Sequence, residues 1–201
     1  NTFMQKKLPK IYLFVEEFNP KELDFLNKNI SIIYRNYKKK INESTIISLK
    51  KYCKSNKRDL YLAKDIKLAI KLKLSGVYIP SFINKLNFNS FLTTKNFLIL
   101  GSAHNSKEIK TKQLQGCDLI FLAPTFKVLK KKNCLGIIKF NLLTLALREK
   151  NKFIALGGIN QGNFKKLNLL NCSGFAGISW LKKNGPKMNL GRLNILNTNS
   201  N

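Results

Sequence analysis

The sequence predicts a (β/α)8 barrel, in which eight parallel strands alternate with helices and close into a cylinder. Three observations support this fold class. Eight short runs rich in β-branched and aromatic residues alternate with stretches of helical periodicity. The runs are almost continuously apolar, which indicates strands that are covered on both faces. Repetition of strand and helix predicts a parallel sheet, and eight such units close most naturally into a barrel.

The expected strands are residues 11–15, 30–35, 59–63, 76–80, 97–103, 119–124, 153–158 and 174–179. Between the third and fourth strands, residues 65–74 carry apolar side chains at helical spacing. A second helix is expected at Ser106–Leu114, with Ser106 as the candidate N-cap. Glu108 favours the first turn of that helix because its charge complements the helix dipole.

One domain is expected over residues 1–201, because a chain of 201 residues that is 44% hydrophobic can bury one sizeable core. The barrel itself should occupy about residues 10–181. Residues 182–201 contain Gly185-Pro186, Gly191 and a polar end, a composition typical of an irregular tail. The last helix of the barrel is therefore expected to be shortened.

No window approaches the roughly 18 to 20 uninterrupted apolar residues of a membrane span, and the first residues lack the apolar core of a signal peptide. We therefore expect a soluble, cytoplasmic protein that does not bind membranes. Cys53, Cys117, Cys134 and Cys172 are widely separated and form no C-x-x-C pair. Their spacing favours reduced, mostly buried thiols over disulfides or a metal site.

The chain carries 37 Lys and Arg against 10 Asp and Glu, a formal net charge of +27. Such a charge attracts nucleic acid, anionic lipid or phosphorylated metabolites. The cations are nearly all scattered lysines, with no arginine-rich arm and no aromatic RNA-binding motif. We favour a compositional bias, and we rank nucleic-acid binding third among the functions considered because it would leave the strand ends unexplained.

The seventh and eighth strands, FIALGGI at 153–159 and GFAGIS at 174–179, both end in small residues. Small residues leave backbone N–H groups open to an anion, and phosphates commonly bind after these two strands of a barrel. The pattern predicts a phosphate site, whose candidate residues are Gly157, Gly158, Gly177, Ile178 and Ser179. Relief of crowding between strand and helix is the alternative explanation for these glycines.

Several motifs together resemble the superfamily of thiamine phosphate synthases and thiazole tautomerases (TenI). Ser102-Ala-His104 resembles its S-x-H segment, and GCDLIFLAPTF at 116–126 resembles its G-A-D-Y-I-x-x-G-P-x-F stretch. The two small-residue strands are similar to its A-I-G-G-I and G-V-A-V-x-S phosphate strands. The resemblance covers roughly residues 30–180 and also implies the barrel fold.

In that superfamily the synthase joins a pyrimidine carried on a pyrophosphate to a thiazole phosphate, forming thiamine phosphate with magnesium assistance. The resemblance implies that the small residues after strands seven and eight hold the thiazole phosphate. It places Arg35 and Ser102 against the pyrophosphate, and Lys131 where a lysine would neutralise the leaving group. Fixed cations suit this reaction because the departing pyrophosphate accumulates negative charge. The resemblance also implies that association into homo-oligomers is common.

The sequence departs from the synthase pattern where magnesium would bind. Asn-Asp after the third strand is replaced by Ala63-Lys64, and H-L-G-Q-x-D after the fourth becomes YIPSFI at 78–83. Without these carboxylates a hard cation has few oxygen ligands, and Asp65 is only a weak substitute. Our first hypothesis is a divergent synthase in which Lys64, Lys130 and Lys131 replace magnesium as the charge sink.

The second hypothesis is a phosphate-binding barrel that is non-catalytic or acts differently, including a descendant of the tautomerase branch. Pro80-Ser81 resembles that branch, but Pro124 stands where the tautomerase uses a histidine. His104, which belongs to the S-x-H segment, is then the candidate acid/base. A hydrogen-bonded structural histidine is the alternative.

Overall fold

A computed structural model describes residues 10–38, 41–85, 96–128, 133–145, 147 and 151–177. Eight parallel strands form a closed barrel in which each strand pairs with the next in sequence and the eighth pairs with the first. The predicted (β/α)8 fold is confirmed. The strands are β1 Ile11–Val15, β2 Ile30–Tyr34, β3 Leu60–Ala63, β4 Gly76–Ile79, β5 Leu98–Ala103, β6 Leu119–Leu122, β7 Lys152–Leu156 and β8 Gly174–Gly177.

All eight expected strands are present, although most are a residue or two shorter than predicted. β2 ends at Tyr34 rather than Arg35, and β4 ends before Pro80, which has no N–H for a ladder hydrogen bond. β7 ends before Gly157 and Gly158, whose backbones turn away with positive φ. The predicted last residues of β8 lie outside the described residues.

The helices lie between consecutive strands. They are α1 Pro20–Asp24, α2 Glu43–Ser55, α3 Ile66–Lys71, α4 Ser106–Leu114, α5 Gly136–Leu145 and a 3₁₀ helix at Phe164–Leu169. The 65–74 prediction was too long, because Asp65 caps α3 by accepting a 2.9 Å hydrogen bond from the Leu68 N–H. Ser106 was the wrong N-cap of α4, because the Asn105 side chain accepts from the Glu108 N–H instead.

Both faces of the sheet are buried, as the continuous apolar runs predicted. Side chains pointing outward pack beneath the helices, and a second set fills the barrel interior. Phe121 is central to the interior set, with its ring centroid 5.0 Å from that of Tyr12 and 5.7 Å from that of Tyr78. The interior is therefore a packed core rather than a channel, and ligands of such a barrel bind at the carboxyl ends of its strands.

All four thiols are free. Cys53 and Cys117 are buried, Cys172 is partly buried and Cys134 is exposed. Burial raises the pKa of Cys53 and Cys117 to about 12, so both thiols stay protonated and unreactive near neutral pH. The described helices include none that is long and apolar enough to cross a membrane. The predicted tail at 182–201 lies outside the described residues.

Candidate functional site

The loops that follow β6 and β7 are packed tightly together at the carboxyl end of the barrel. Gly157 and Gly158 have φ values of 91° and 74°. A Cβ atom on Gly158 would collide with the carbonyl group of Phe126 and lie 2.7 Å from the Lys127 oxygen. Only glycine satisfies both the left-handed backbone and this close approach.

Hydrogen bonds fix the same two loops. The Thr125 hydroxyl donates to the Leu122 carbonyl and accepts from the Leu156 N–H, each at 3.0 Å. The Phe126 N–H donates to the Gly157 carbonyl at 3.0 Å. Within the described residues, the N–H groups of Gly157 and Gly158 donate no hydrogen bond. The β7 end thus has two adjacent N–H groups available as donors, a type of group that binds anions, and the phosphate site stays a prediction.

β8 pairs with β7, which brings the end of β8 next to this loop. Gly177 is its last residue and lies in register with Leu13 of β1. Ile178 and Ser179, which the sequence predicts as phosphate ligands, lie outside the described residues. The described part of the predicted phosphate site is therefore Gly157, Gly158 and Gly177.

A second group of side chains gathers at the ends of β2, β4 and β5. The Arg35 guanidinium lies over the Phe14 ring, 4.3 Å from its centroid. Burial raises the pKa of Tyr78, whereas hydrogen bonding with Ser102 and the charge and hydrogen bonding of Arg35 act in the opposite direction. Tyr78 is thus a neighbour of both Arg35 and Ser102, which the interpretation of the sequence missed.

Lys64 occupies the end of β3, between those strands. Its backbone N–H donates to the Tyr78 carbonyl at 2.9 Å, and its φ is 72°. The Lys64 Nζ lies 4.2 Å from the Tyr37 ring centroid and 5.1 Å from that of Phe82. The two rings meet edge to face at 5.7 Å. Sequence reasoning identified Lys64 but not Phe82, whose proximity depends on how the β2 and β4 loops fold.

His104 follows the end of β5 and is held by α4. Its Nδ1 lies 2.9 Å from Oε2 of Glu108, which also accepts the His104 backbone N–H at 2.8 Å. Among the described residues, Nε2 has no hydrogen-bond partner. The ring is thus oriented through one nitrogen while the other can meet a ligand, and the acid/base role stays a prediction.

Residues 27–181 match the sequence model of the family described as "Thiamine monophosphate synthase". The chain belongs to the thiamine monophosphate synthase family. It is 25% identical over 123 residues to the thiamine-phosphate synthase of Bacteroides fragilis, covering 58% of this chain and 60% of that protein. It is 31% identical over 123 residues to that of Prochlorococcus marinus subsp. pastoris, covering 60% of this chain and 34% of that protein.

Solved structures show the same fold. A thiamine phosphate pyrophosphorylase from Pyrococcus furiosus superposes with a TM-score of 0.72 at 13% identity, covering 94% of this chain and 97% of that one. One from Bacteroides thetaiotaomicron superposes with a TM-score of 0.54 at 15% identity, covering 88% and 85%. The aligned part of each curated relative is less than two thirds of its length.

The residues at the ends of β3 and β4 do not fit the magnesium ion that the thiamine monophosphate synthase family implies. Ala63 offers no ligand, Lys64 contributes a cation, and an Asp65 oxygen accepts from the α3 backbone. No cluster of three or more His, Cys, Asp or Glu residues suited to a metal occurs in the described ranges. Magnesium prefers oxygen ligands, usually including carboxylates. Lys130 and Lys131, the other predicted charge-neutralising residues, lie outside the described residues.

Proposed function

We propose that the protein is a thiamine phosphate synthase in which cations of the chain replace magnesium. A thiazole phosphate binds at the ends of β7 and β8, and a pyrimidine diphosphate binds at the ends of β2 to β5. Pyrophosphate leaves with both electrons of its bond to the pyrimidine unit, and the thiazole takes its place. Family membership and the donors of Gly157 and Gly158 support this assignment.

One observation carries the proposal. Arg35 and Lys64 both lie within 6 Å of the Tyr37 ring, at 5.7 Å and 4.2 Å from its centroid. Neither forms an ion pair with a carboxylate in the described part of the chain. Two uncompensated cations at neighbouring strand ends favour a polyanion, and fixed charges stabilise the one that accumulates as pyrophosphate departs.

The test is to incubate the protein with the pyrimidine diphosphate and the thiazole phosphate and to detect thiamine phosphate by mass spectrometry. We expect product both with magnesium and in the presence of EDTA. Lys64→Ala should lower the rate at least tenfold, because it removes one of the two charges facing the leaving group. Lys57→Ala is the matched control, since Lys57 is also an exposed lysine with positive φ but precedes β3.

Product formation that requires magnesium would contradict the replacement of magnesium by cations of the chain. It would also point to Asp65 as a magnesium ligand.

The second candidate function is a phosphate binder without turnover, and it is favoured by the loss of both carboxylate positions after β3 and β4. Saturable binding of the thiazole phosphate without any product would establish it instead. Ser179→Ala and Lys131→Ala extend the test to the predicted residues outside the described ranges.

A further inference from the structure

An aromatic pair with an attached cation occupies the carboxyl end of the barrel. The Tyr37 side chain is 44% exposed and Phe82 is 60% exposed, although each ring contacts the other. The Lys64 ammonium lies over both rings. Large exposed aromatic side chains at a strand end are available to a ligand.

Phe82 is displayed from a loop that buried polar groups hold in place. The Lys112 ammonium, which is fully buried, donates to the carbonyls of Pro80 at 2.8 Å and Ile83 at 2.9 Å. The Gln115 amide, also buried, donates to the Ile83 carbonyl at 2.8 Å. These bonds bracket Phe82 on both sides, so its ring is exposed on a fixed support rather than on a mobile loop.

Tyr37 is flanked by two cations. Besides Lys64, the Arg35 guanidinium lies 5.7 Å from the Tyr37 centroid. Partial burial is the largest effect on the pKa of Tyr37 and raises it. Neighbouring Tyr78 also raises this pKa, whereas Arg35 lowers it. Because the net shift is upward, Tyr37 stays a neutral phenol. A neutral aromatic face beside two positive charges matches a ligand that combines a flat ring with an anionic group.

We propose that Tyr37 and Phe82 stack against a flat nitrogen heterocycle joined to a diphosphate, whose charge is bound by Lys64 and Arg35. The inference rests on the proposed function, because the diphosphate site is the one used in the proposed reaction. It adds that Tyr37 and Phe82 recognise the heterocycle of the ligand. Pyrimidine diphosphates and nucleoside diphosphates share this chemistry.

The experiment compares three ligands by calorimetric titration of the full chain, namely inorganic pyrophosphate, ADP and the pyrimidine diphosphate. At least one ring-bearing ligand should bind about tenfold more tightly than pyrophosphate, as stacking on aromatic side chains predicts. Tyr37→Leu and Phe82→Leu should each remove most of this preference, weakening the ring-bearing ligand about tenfold more than they weaken pyrophosphate. Tyr37→Phe keeps the ring and should retain the preference.

Phe25→Leu is the matched control, because Phe25 is 71% exposed but lies between α1 and β2, at the opposite end of the barrel. It should leave all three affinities unchanged. Circular dichroism of each variant establishes that it is folded. A tighter complex with ADP would identify a nucleotide as the source of the ring, and a tighter complex with the pyrimidine diphosphate would identify the substrate of the proposed reaction.

Equal affinity for pyrophosphate and both ring-bearing ligands would overturn the inference, as would leucine variants that weaken all three ligands alike. The two proposals fail separately. A ring preference that depends on Tyr37 and Phe82 but no thiamine phosphate in the synthesis assay would contradict only the proposed reaction. Turnover that is unchanged in both leucine variants, without any ring preference, would contradict only the stacking role.

Discussion

At the residue scale, three of the described lysines have positive φ, and they differ in what their backbone conformation serves. Lys57 and Lys73 have φ values of 52° and 47° and follow the C-caps of α2 and α3, where a left-handed residue commonly ends a helix. Lys64, with φ of 72°, follows a strand instead. A side chain in this region costs roughly 1 kcal/mol relative to glycine. Helix termination explains the positive φ of Lys57 and Lys73. Lys64 ends no helix, and the contact of its ammonium with the Tyr37 and Phe82 rings suggests a role in ligand binding.

Replacing Lys64 by glycine should therefore separate stability from binding. We expect Lys64→Gly to change the free energy of unfolding by about +0.5 to +1 kcal/mol, because glycine adopts this backbone without strain. The same variant should bind pyrophosphate at least fivefold more weakly, since it removes an ammonium group. Urea denaturation and calorimetric titration measure the two effects.

Lys73→Gly provides the control for this residue-scale prediction. It should stabilise the chain by a similar amount, because Lys73 also has a left-handed backbone, and it should leave pyrophosphate binding unchanged. Unchanged binding by Lys64→Gly would contradict the role of this ammonium. Destabilisation by both glycine variants would instead contradict the assigned backbone strain.

At the element scale, the β6 and β7 ends depend on one glycine. We expect Gly158→Ala to destabilise the fold by about 2 kcal/mol or more, because the methyl group would meet the Phe126 carbonyl from a backbone at positive φ. It should also weaken phosphate binding about tenfold or more, since moving the loop displaces the N–H groups of Gly157 and Gly158. Thermal unfolding and titration with the thiazole phosphate give these quantities.

Gly162→Ala is the comparison at the same end of the barrel. Gly162 lies in the connection that follows β7, and an added Cβ there would have its nearest contact 3.4 Å away, at the Asn160 side chain. This substitution should stay within about 0.5 kcal/mol of the wild type. Wild-type phosphate affinity in Gly158→Ala would show that the β7 loop does not form the anion site.

Elements were predicted more successfully than their ends. The sequence identified all eight strands because each is buried on both faces. Such a strand is a short stretch of consecutive apolar residues, which is visible in the sequence itself. The bounds of α4 were predicted correctly, but its N-cap was assigned to Ser106 instead of Asn105, because both are good capping residues. Only the backbone geometry decides which side chain oxygen reaches the Glu108 N–H.

The candidate site was predictable to the extent that its residues follow strand ends. Arg35, Ser102 and Gly158 were all placed at the correct end of the barrel because parallel strands bring their carboxyl ends together. The contacts between side chains were not predictable in the same way. Tyr37 and Phe82 belong to loops after β2 and β4, and their meeting over Lys64 depends on loop conformation and on the buried support from Lys112.

At the scale of the whole molecule, a formal charge of +27 should make stability depend on salt. Like charges repel in the compact state, and the Debye length falls from about 10 Å at 0.1 M salt to about 3 Å at 1 M. The Lys71–Glu43 ion pair joins exposed side chains, a type of contact that contributes little. Raising NaCl from about 20 mM to 300 mM should therefore raise the thermal midpoint by about 3 °C.

Pyrophosphate at the same ionic strength separates screening from binding. An anion that binds only the native state adds stability by mass action, about 2.7 kcal/mol at a concentration 100 times its Kd. The midpoint should thus rise further than in NaCl, and this additional rise should shrink in Lys64→Ala while the NaCl effect remains. A midpoint that falls with NaCl would contradict net repulsion. Equal midpoints in the two salts would show that the positive charge acts only as a diffuse field, without a polyanion site at the strand ends.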